Sequence, residues 1–284
     1  MATLTAMPAA AAAPLLALDT STETMSVALR GPLGARCYEG EGGAQASAAL
    51  LPRVQAMLRE QGLRAADLQA VAFGRGPGAF TGLRTACAVA QGLALGAGCP
   101  VVPVDSLMIV AEDTADACAA DAQEGPGGAA DPGQRWGVPA AGSLAAVAMD
   151  ARMGEVYAAL YRWCGPRAAA GWEVVQPPCL CAPQALAGAW PTLLDAAQAA
   201  HTAHPAHTVR WAAGSAIAWL PAGAVPRGMP VRRGRSRAGA LLRLAERLLA
   251  AGSAVDPAQA LPLYLRDKVA LTVAERAAAA APPA

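Results

Sequence analysis

The sequence has no asparagine, one lysine, Lys268, and three histidines, and aromatic residues make up 4% of its 284 positions. Alanine supplies much of the 55% apolar fraction, and its small side chain gains less from burial than leucine or phenylalanine does. The apolar fraction still suffices for a core, so disorder over the whole length is excluded. The length allows one large domain or two of ordinary size.

A strong charge of either sign is also lacking, since 22 basic residues face 21 acidic ones. This balance excludes a protein that coats nucleic acid or an anionic membrane by itself. The uncharged stretch from Ala86 to Val104 is broken by glycine and proline, so it predicts a helix, a turn and a strand and no membrane span. Met1 to Pro14 has neither the cationic start nor the leucine-like core of a signal peptide. We expect a soluble, cytoplasmic protein.

Metal-binding patterns are lacking as well. The 7 cysteines show no C-x-x-C pair and no zinc spacing, which indicates reduced thiols. His201, His204 and His207 lie in an Ala/Thr/Pro segment, where a solvated loop is the favoured interpretation and a metal cluster the alternative. We expect no metal site.

The first half has a clear order of elements, βββαβαβ. Apolar alternation and turn residues predict strands and helices at these positions: strands at Leu15–Asp19, Met25–Arg30, near Cys37, Ala70–Phe73 and Val101–Val104, and helices from Ser47 to Gly62 and from Phe80 to Leu95.

An internal repeat indicates the architecture. Residues 16–29 (LALDTSTETMSVAL) align without a gap on residues 147–160 (VAMDARMGEVYAAL), which places Asp19 on Asp150 at the end of an apolar strand. Two unrelated β-hairpins would be the alternative. The repeat predicts an α/β protein of two βββαβα halves, with further strands at Gly171–Val175 and Val209–Ala213 and a helix from Ser236 to Ala251.

Composition divides the chain further. The segment EGPGGAADPG has little that could pack, so Thr114 to Ser143 is predicted to be a flexible surface insertion. The expected organisation has two lobes, at 14–106 and 144–272, joined by a connecting segment at 107–143 that contains the insertion. Disordered segments are expected at 1–13 and 273–284. The last helix of the second lobe is a candidate to pack back on the first lobe.

A glycine-rich loop, Gly74 to Arg84, follows the fourth strand and leads directly into a helix. Its backbone N–H groups could approach a phosphate at the positive end of the helix. It has neither a Walker sequence nor G-x-G-x-x-G spacing, and a tight turn that lets the helix pack closely is the favoured alternative.

Five segments together resemble the bacterial TsaB (YeaZ) family: LALDTSTETMSVAL, AVAFGRGPGAFTGLRTACAVAQGLAL, PVVPVDSL, MDARMGEVYAALY and ALPLYLRDKVA. The resemblance implies a duplicated actin/Hsp70-like (RNase H-like) fold. It also implies a role in making threonylcarbamoyladenosine beside the tRNA anticodon, as the non-catalytic scaffold of the homologous catalytic subunit TsaD. The ATPase TsaE would join them, and the complex would handle ATP, Mg²⁺, threonylcarbamoyl-adenylate and tRNA. No cofactor is expected on this chain alone.

The catalytic sister family holds its metal with two histidines in an N-H-x-x-G-H run. Aligned on that run, this chain has Ser106 and Val110 at the two ligand positions, and neither side chain can replace imidazole. The chain also has Asp105 where the TsaB resemblance implies a serine. A stand-alone actin-like ATPase or kinase is the alternative function, and a metallopeptidase is a weaker one.

The hairpin aspartates have two interpretations. In catalytic members of the superfamily such aspartates hold Mg²⁺ and nucleotide, whereas turn capping through Asx hydrogen bonds is the favoured alternative. The weak nucleotide-site candidates are Asp19, Thr20, Ser21 and Asp150.

A ridge of small residues suggests where the partner docks. Gly82, Ala86, Ala90 and Ala94 recur every four residues, which permits close approach of another helix. Packing of the ridge inside the chain, against its own C-terminal helix, is the alternative. The predicted interface, through which the free chain would also dimerise weakly, comprises Leu51, Val54, Phe80, Thr81, Gly82, Arg84, Ala86, Ala90 and Ala94.

An arginine cluster precedes the last helix: Arg227, Arg232, Arg233, Arg235 and Arg237. Contact with a tRNA backbone, foremost through Arg232, Arg233 and Arg235, and a solvated loop are both consistent with it.

Overall fold

The computed structural model describes residues 13–121, 139–166, 168, 170–200 and 208–266. Two five-stranded sheets are built in the same way. The first has the order β3-β2-β1-β4-β5, from β1 (Leu15–Asp19), β2 (Thr24–Gly31), β3 (Gly34–Glu41), β4 (Ala70–Gly76) and β5 (Val101–Asp105). The second has the order β10-β9-β6-β7-β8, from β6 (Leu144–Asp150), β7 (Val156–Trp163), β8 (Trp172–Cys181), β9 (Arg210–Ala213) and β10 (Val231–Arg232).

The two sheets match strand for strand. In each, the first three strands in chain order pair antiparallel, and the next two join parallel to the first. Asp19 ends β1 and Asp150 ends β6, as the repeat predicted. The predicted duplicated α/β architecture is therefore confirmed.

Five α-helices complete the layers: α1 (Ala46–Glu60), α2 (Phe80–Ala97), α3 (Ser106–Asp121), α4 (Pro183–Ala199) and α5 (Arg237–Ala250). Helices α1 and α2 pack on the outer side of the first sheet, and α4 packs on the outer side of the second. Between the sheets lie α3 and α5, so the layer order is helix, sheet, helix, sheet, helix.

Helix α5 follows the last strand of the second half, but it packs against β1 and β2 of the first sheet. Its inner side chains, among them Leu241 and Leu244, are fully buried in the central core. This crossover brings residues from the start of α5 to the end of β1, which positions the site described below.

The predicted insertion starts too early. Helix α3 continues through Asp121, and Thr114 and Ala115 are buried between the sheets. Alanine explains the error, because small side chains let a helix pack tightly in a central layer while giving only a weak apolar signal in the sequence. The predicted disordered segments at 1–13 and 273–284 lie almost wholly outside the described residues, as does most of the insertion.

The halves differ in one helix. Between β4 and β5 runs α2, whereas between β9 and β10 the chain forms only a short 3₁₀ helix, Ile217–Trp219. In the part of the chain that the structure describes, no helix has the length and apolar character needed to cross a bilayer.

Candidate functional site

A cleft of about 680 Å³ opens between the two halves. Residues of the β1–β2 turn, the glycine loop and the start of α3 line one side, and residues of the β6–β7 turn line the other. Its volume lies in the range of small-molecule sites, about 300–1,000 Å³. It is therefore the natural place to test the nucleotide candidates.

Asp19 lies behind the floor of this cleft and is fully buried. Its Oδ1 accepts the backbone N–H of Ser21 at 3.0 Å, and its Oδ2 accepts the Ser21 hydroxyl at 3.0 Å. Thr20 turns the other way, donating its hydroxyl to the carbonyl of Gly82 at 2.6 Å. Asp19 thus forms the Asx turn that the favoured interpretation required.

Arg237, at the start of α5, completes the Asp19 environment. Its Nε donates to Asp19 Oδ2 at 2.6 Å, and its Nη2 donates to the Ser21 hydroxyl at 3.0 Å and to the Ser106 carbonyl at 3.1 Å. The arginine side chain is 11% exposed and lines the cleft floor. The sequence shows Arg237 only as part of the basic cluster, because Arg237 and Asp19 are 218 residues apart and no local pattern links them.

The glycine loop presses against this same hairpin. A Cβ at Gly74 would lie 2.2 Å from Asp19 Oδ1, one at Gly78 2.4 Å from the Ser21 carbonyl oxygen, and one at Gly82 1.7 Å from the Thr20 carbonyl oxygen. Each separation is far below van der Waals contact. These three glycines are therefore required by packing of the chain on itself, in agreement with the close-packing interpretation.

Asp150 occupies the matching position in the second half, but it is exposed. Its Oδ1 accepts the backbone N–H of Arg152 at 2.7 Å, and its own N–H donates to the Ser215 hydroxyl at 3.0 Å. Asp150 lines the opposite side of the cleft from Ser21. It caps its own turn.

Asp105, at a position where the resemblance implies a serine, joins the two halves. Its carboxylate accepts the backbone N–H groups of Leu107 and Met108 at 2.9 and 3.3 Å, so it caps the start of α3. It also accepts the Tyr161 hydroxyl of β7 at 2.7 Å. Burial raises the pKa of Asp105, and burial together with the carboxylate raises the pKa of Tyr161 well above its ordinary value.

The chain after α5 returns to bridge the halves. Leu263 donates its N–H to the Arg75 carbonyl at 2.6 Å, and the Tyr264 ring lies 4.9 Å from that of Phe80. Arg266 then donates to the Ala151 carbonyl at 2.9 Å. In the sequence this segment is recognisable only through the resemblance, since a segment outside helices and strands has no periodic pattern.

The prediction that the ridge of small residues faces a partner is wrong. Gly82, Ala86, Ala90 and Ala94 are buried in the core between α2 and the first sheet, and Val54 of α1 is fully buried beside them. Their small size serves close packing of α2 on the first sheet. The alternative interpretation expected the C-terminal helix at this place, but that helix, α5, packs in the central core on the other side of the sheet. Arginine at Ala90 would therefore disrupt the core and could not probe a partner.

The opposite side of α2 is exposed, and we call it the outer face together with the adjoining surface of α1. It comprises Leu51 of α1 and Thr81, Arg84, Ala88, Gly92, Leu95 and Gly96 of α2. Phe80 is half-buried at its edge, with the Arg84 guanidinium 3.9 Å from the ring centre. Leu95 is 65% exposed and Leu51 40% exposed. A Cβ at Gly92 or Gly96 would meet no atom within 4 Å.

The basic cluster is divided between two environments. Arg227, Arg233 and Arg235 are exposed, Arg232 is half-buried, and Arg237 is turned inward to Asp19. His201, His204 and His207 lie outside the described residues. Within the described ranges, no group of three or more His, Cys, Asp or Glu side chains is placed to hold a metal ion.

Comparisons with known proteins give a consistent picture. Residues 43–125 match the family model "TsaD: tRNA N6-adenosine threonylcarbamoyltransferase". A protein of Escherichia coli K12 named tRNA threonylcarbamoyladenosine biosynthesis protein TsaB is 37% identical over 148 residues, which cover 52% of this chain and 54% of that one. A Haemophilus influenzae protein of the same name is 43% identical over 105 residues, covering 34% and 42% of the two chains. The matches thus span about half the length of these curated relatives.

Two solved structures from Pseudomonas aeruginosa extend the similarity. One is YeaZ and the other an uncharacterised protein described as similar to peptidase YeaZ, with 31% and 32% identity. Each has a TM-score of 0.63, and the alignments cover 89% of this chain and all of those chains. With the matched sheets, this similarity establishes the duplicated actin/Hsp70-like fold. The chain belongs to the TsaB (YeaZ) family.

Proposed function

We propose that this chain is a subunit of the machinery that makes threonylcarbamoyladenosine in tRNA. In this role it is a non-catalytic scaffold for a TsaD-type catalytic subunit, which transfers threonylcarbamoyl from threonylcarbamoyl-adenylate to the adenosine beside the anticodon. The observation that carries the proposal is the similarity over the whole YeaZ chain, together with relatives named for this biosynthesis.

The non-catalytic part of the proposal is supported at the start of α3. This helix lies inside the segment that matches the TsaD family model. The resemblance puts Ser106 and Val110 at the two positions where the sister family has its histidine ligands. Ser106 is buried, and its hydroxyl accepts the N–H of Gly76 at 3.0 Å. Val110 packs on the central core. Both positions have structural roles, and neither has a side chain that binds a transition metal.

The outer face is proposed as the docking surface for the catalytic subunit. Gly92 and Gly96 lie inside α2, where glycine costs about 0.5–1 kcal/mol relative to alanine, and no atom of the described chain crowds either position. Leu95 on the same helix and Leu51 on α1 are both exposed. Small residues that permit close approach, beside exposed leucines, suit a partner helix, and a homologous subunit would present the equivalent helix.

The remaining parts of the proposal follow from the resemblance. A TsaE-type ATPase joins the complex, which handles ATP, Mg²⁺ and threonylcarbamoyl-adenylate, and the free chain dimerises weakly through the outer face. In this proposal Arg232, Arg233 and Arg235 contact the tRNA backbone, which the exposure of Arg233 and Arg235 supports. Both precede the start of α5, and Arg235 lines the cleft.

Ala88→Arg on the outer face tests the docking proposal, with Ala189→Arg on α4 as its matched control. Both positions are exposed alanines of helices, so both variants should fold and melt like the parent chain. We expect Ala88→Arg to lose co-purification with the catalytic subunit and to leave tRNA unmodified in cells that depend on it, because a long cation prevents close helix contact. Ala189→Arg should retain both properties.

Two results would contradict the proposal in different ways. A folded Ala88→Arg variant that still binds the catalytic subunit would place the interface elsewhere. A parent chain that does not bind that subunit, and whose loss leaves tRNA modification intact, would remove the proposed function itself.

A further inference from the structure

The floor of the cleft has an arrangement that the proposed function does not explain. Three oxygen atoms converge on the Arg237 guanidinium: a carboxylate oxygen of Asp19 at 2.6 Å, the hydroxyl oxygen of Ser21 at 3.0 Å and the carbonyl oxygen of Ser106 at 3.1 Å. A carboxylate, a hydroxyl and a backbone carbonyl are the oxygen donors that divalent cations such as Mg²⁺ and Ca²⁺ prefer. Here a side-chain cation takes them.

We infer that Arg237 is a built-in counter-ion that occupies a divalent-cation position at the Asp19 hairpin. The hairpin is the one whose aspartate holds Mg²⁺ in catalytic members of the superfamily. In this chain the donors of that position are already engaged, so a divalent cation and the arginine exclude each other. The residues present therefore do not fit the metal that the fold implies.

The burial of Asp19 strengthens the exclusion of a divalent cation by Arg237. Asp19 is fully buried, with Gly74 packed against its Oδ1 and the Ser21 backbone and hydroxyl on its two oxygens. Arg237 lines the cleft and Asp19 does not, so the arginine separates the carboxylate from the cleft. A buried carboxylate that lost this partner would be costly, which keeps the arginine in place.

The presence of Arg237 in place of a divalent cation also changes which ligands the cleft can bind. An open carboxylate at the floor would attract a cation and, through it, a nucleotide phosphate, whereas here the Asp19 carboxylate is already paired with the Arg237 guanidinium. The cleft of this chain is therefore closed to Mg²⁺-dependent nucleotide binding at Asp19. This inference concerns the chain alone and does not depend on the role in tRNA modification.

The test is a variant that removes the arginine and keeps the carboxylate. Arg237→Ala should lower the melting temperature by about 5–10 °C, because it leaves Asp19 buried and unpaired. About 10 mM MgCl₂ or CaCl₂ exceeds the dissociation constants of weak Ca²⁺ sites. At that concentration the variant should recover about 3 °C or more beyond the effect of NaCl at equal ionic strength.

Two controls isolate the effect. The parent chain should show no shift specific to divalent ions, because Arg237 occupies the position. The double variant Asp19→Asn/Arg237→Ala has the same space without the carboxylate, so it too should show none. Isothermal titration of the three proteins with MgCl₂ and CaCl₂ gives the same comparison without heating.

A second variant covers the case in which Arg237→Ala does not fold. Arg237→Gln keeps a donor for Asp19 and an oxygen that can bind a cation, and the same divalent-specific stabilisation is expected. The inference is overturned if a folded Arg237→Ala or Arg237→Gln shows no such stabilisation. It is also overturned if the parent chain binds Mg²⁺ or Ca²⁺ as tightly as the variants do, or if the double variant responds equally.

Discussion

The two halves of this molecule carry the same hairpin and use it differently. Asp19 and Asp150 end equivalent strands, and each caps its turn by accepting the N–H two residues on. Asp19 is nevertheless fully buried and bound to Arg237, whereas Asp150 is exposed. The same local sequence pattern thus yields a sealed site in one half and an open turn in the other.

The elements around each hairpin cause the difference. In the first half α2 begins beside the turn and presses Gly82 against Thr20, while α5 brings Arg237 from the distant end of the chain. In the second half a short 3₁₀ helix, Ile217–Trp219, replaces the counterpart of α2. The repeat determines the path of the backbone, and the neighbouring helices determine whether its aspartate is enclosed.

Alanine substitution of Asp19 and of Asp150 should give the largest difference in stability between the two halves. Asp19→Ala leaves the Arg237 guanidinium buried without its counter-charge, so we expect a loss of about 3–5 kcal/mol in the free energy of unfolding. Asp150→Ala loses one exposed hydrogen bond to a backbone N–H and should cost about 1 kcal/mol or less. Urea denaturation near neutral pH measures both, and equal losses would contradict the comparison.

Substitution of two glycines of α2 tests how closely this helix encloses the Asp19 hairpin, and the expected changes in stability are smaller. A Cβ at Gly82 would lie 1.7 Å from the Thr20 carbonyl oxygen, so Gly82→Ala must displace the hairpin and should cost about 1–3 kcal/mol. Gly92→Ala adds its Cβ in open space on the same helix and should stabilise by about 0.5–1 kcal/mol. A neutral effect at Gly82 would show that the contact with the hairpin does not constrain the helix.

Features that depend on neighbouring residues in the chain could be predicted from the sequence. The gapless repeat placed Asp19 and Asp150 correctly, and apolar periodicity placed α1 and α2 within a few residues. Turn chemistry also favoured the Asx interpretation of Asp19, which the hydrogen bonds of the turn support.

Orientation and long-range pairing could not be predicted in the same way. Helix α2 has small residues on both sides, so the spacing of Ala86 and Ala90 could not tell the sheet-facing side from the outer face with Ala88 and Gly92. The pairing of Arg237 with Asp19 depends on the crossover of α5 between the sheets. Such contacts are set by tertiary packing, which leaves no periodic trace in the sequence.

A third aspartate, Asp105, lies where the halves meet, and it provides the smallest and most specific test. Burial raises its pKa despite hydrogen bonds from the Tyr161 hydroxyl and from the N–H groups of Leu107 and Met108. An aspartate in the unfolded chain has a pKa of about 3.9. Between that value and the raised pKa the folded chain binds more protons than the unfolded chain, so the contribution of Asp105 to stability falls as pH rises.

Asp105→Asn should remove this dependence, because an amide does not titrate in that window. The free energy of unfolding of the parent minus that of the variant should therefore decrease as pH is raised from about 4 through the raised pKa. Tyr161→Phe is the companion variant: it removes a hydrogen bond that lowers the Asp105 pKa, so the decrease should extend to higher pH. Urea denaturation across this pH range measures all three proteins. Parallel curves for the parent and Asp105→Asn would show that the contact between the halves is not coupled to the protonation of Asp105.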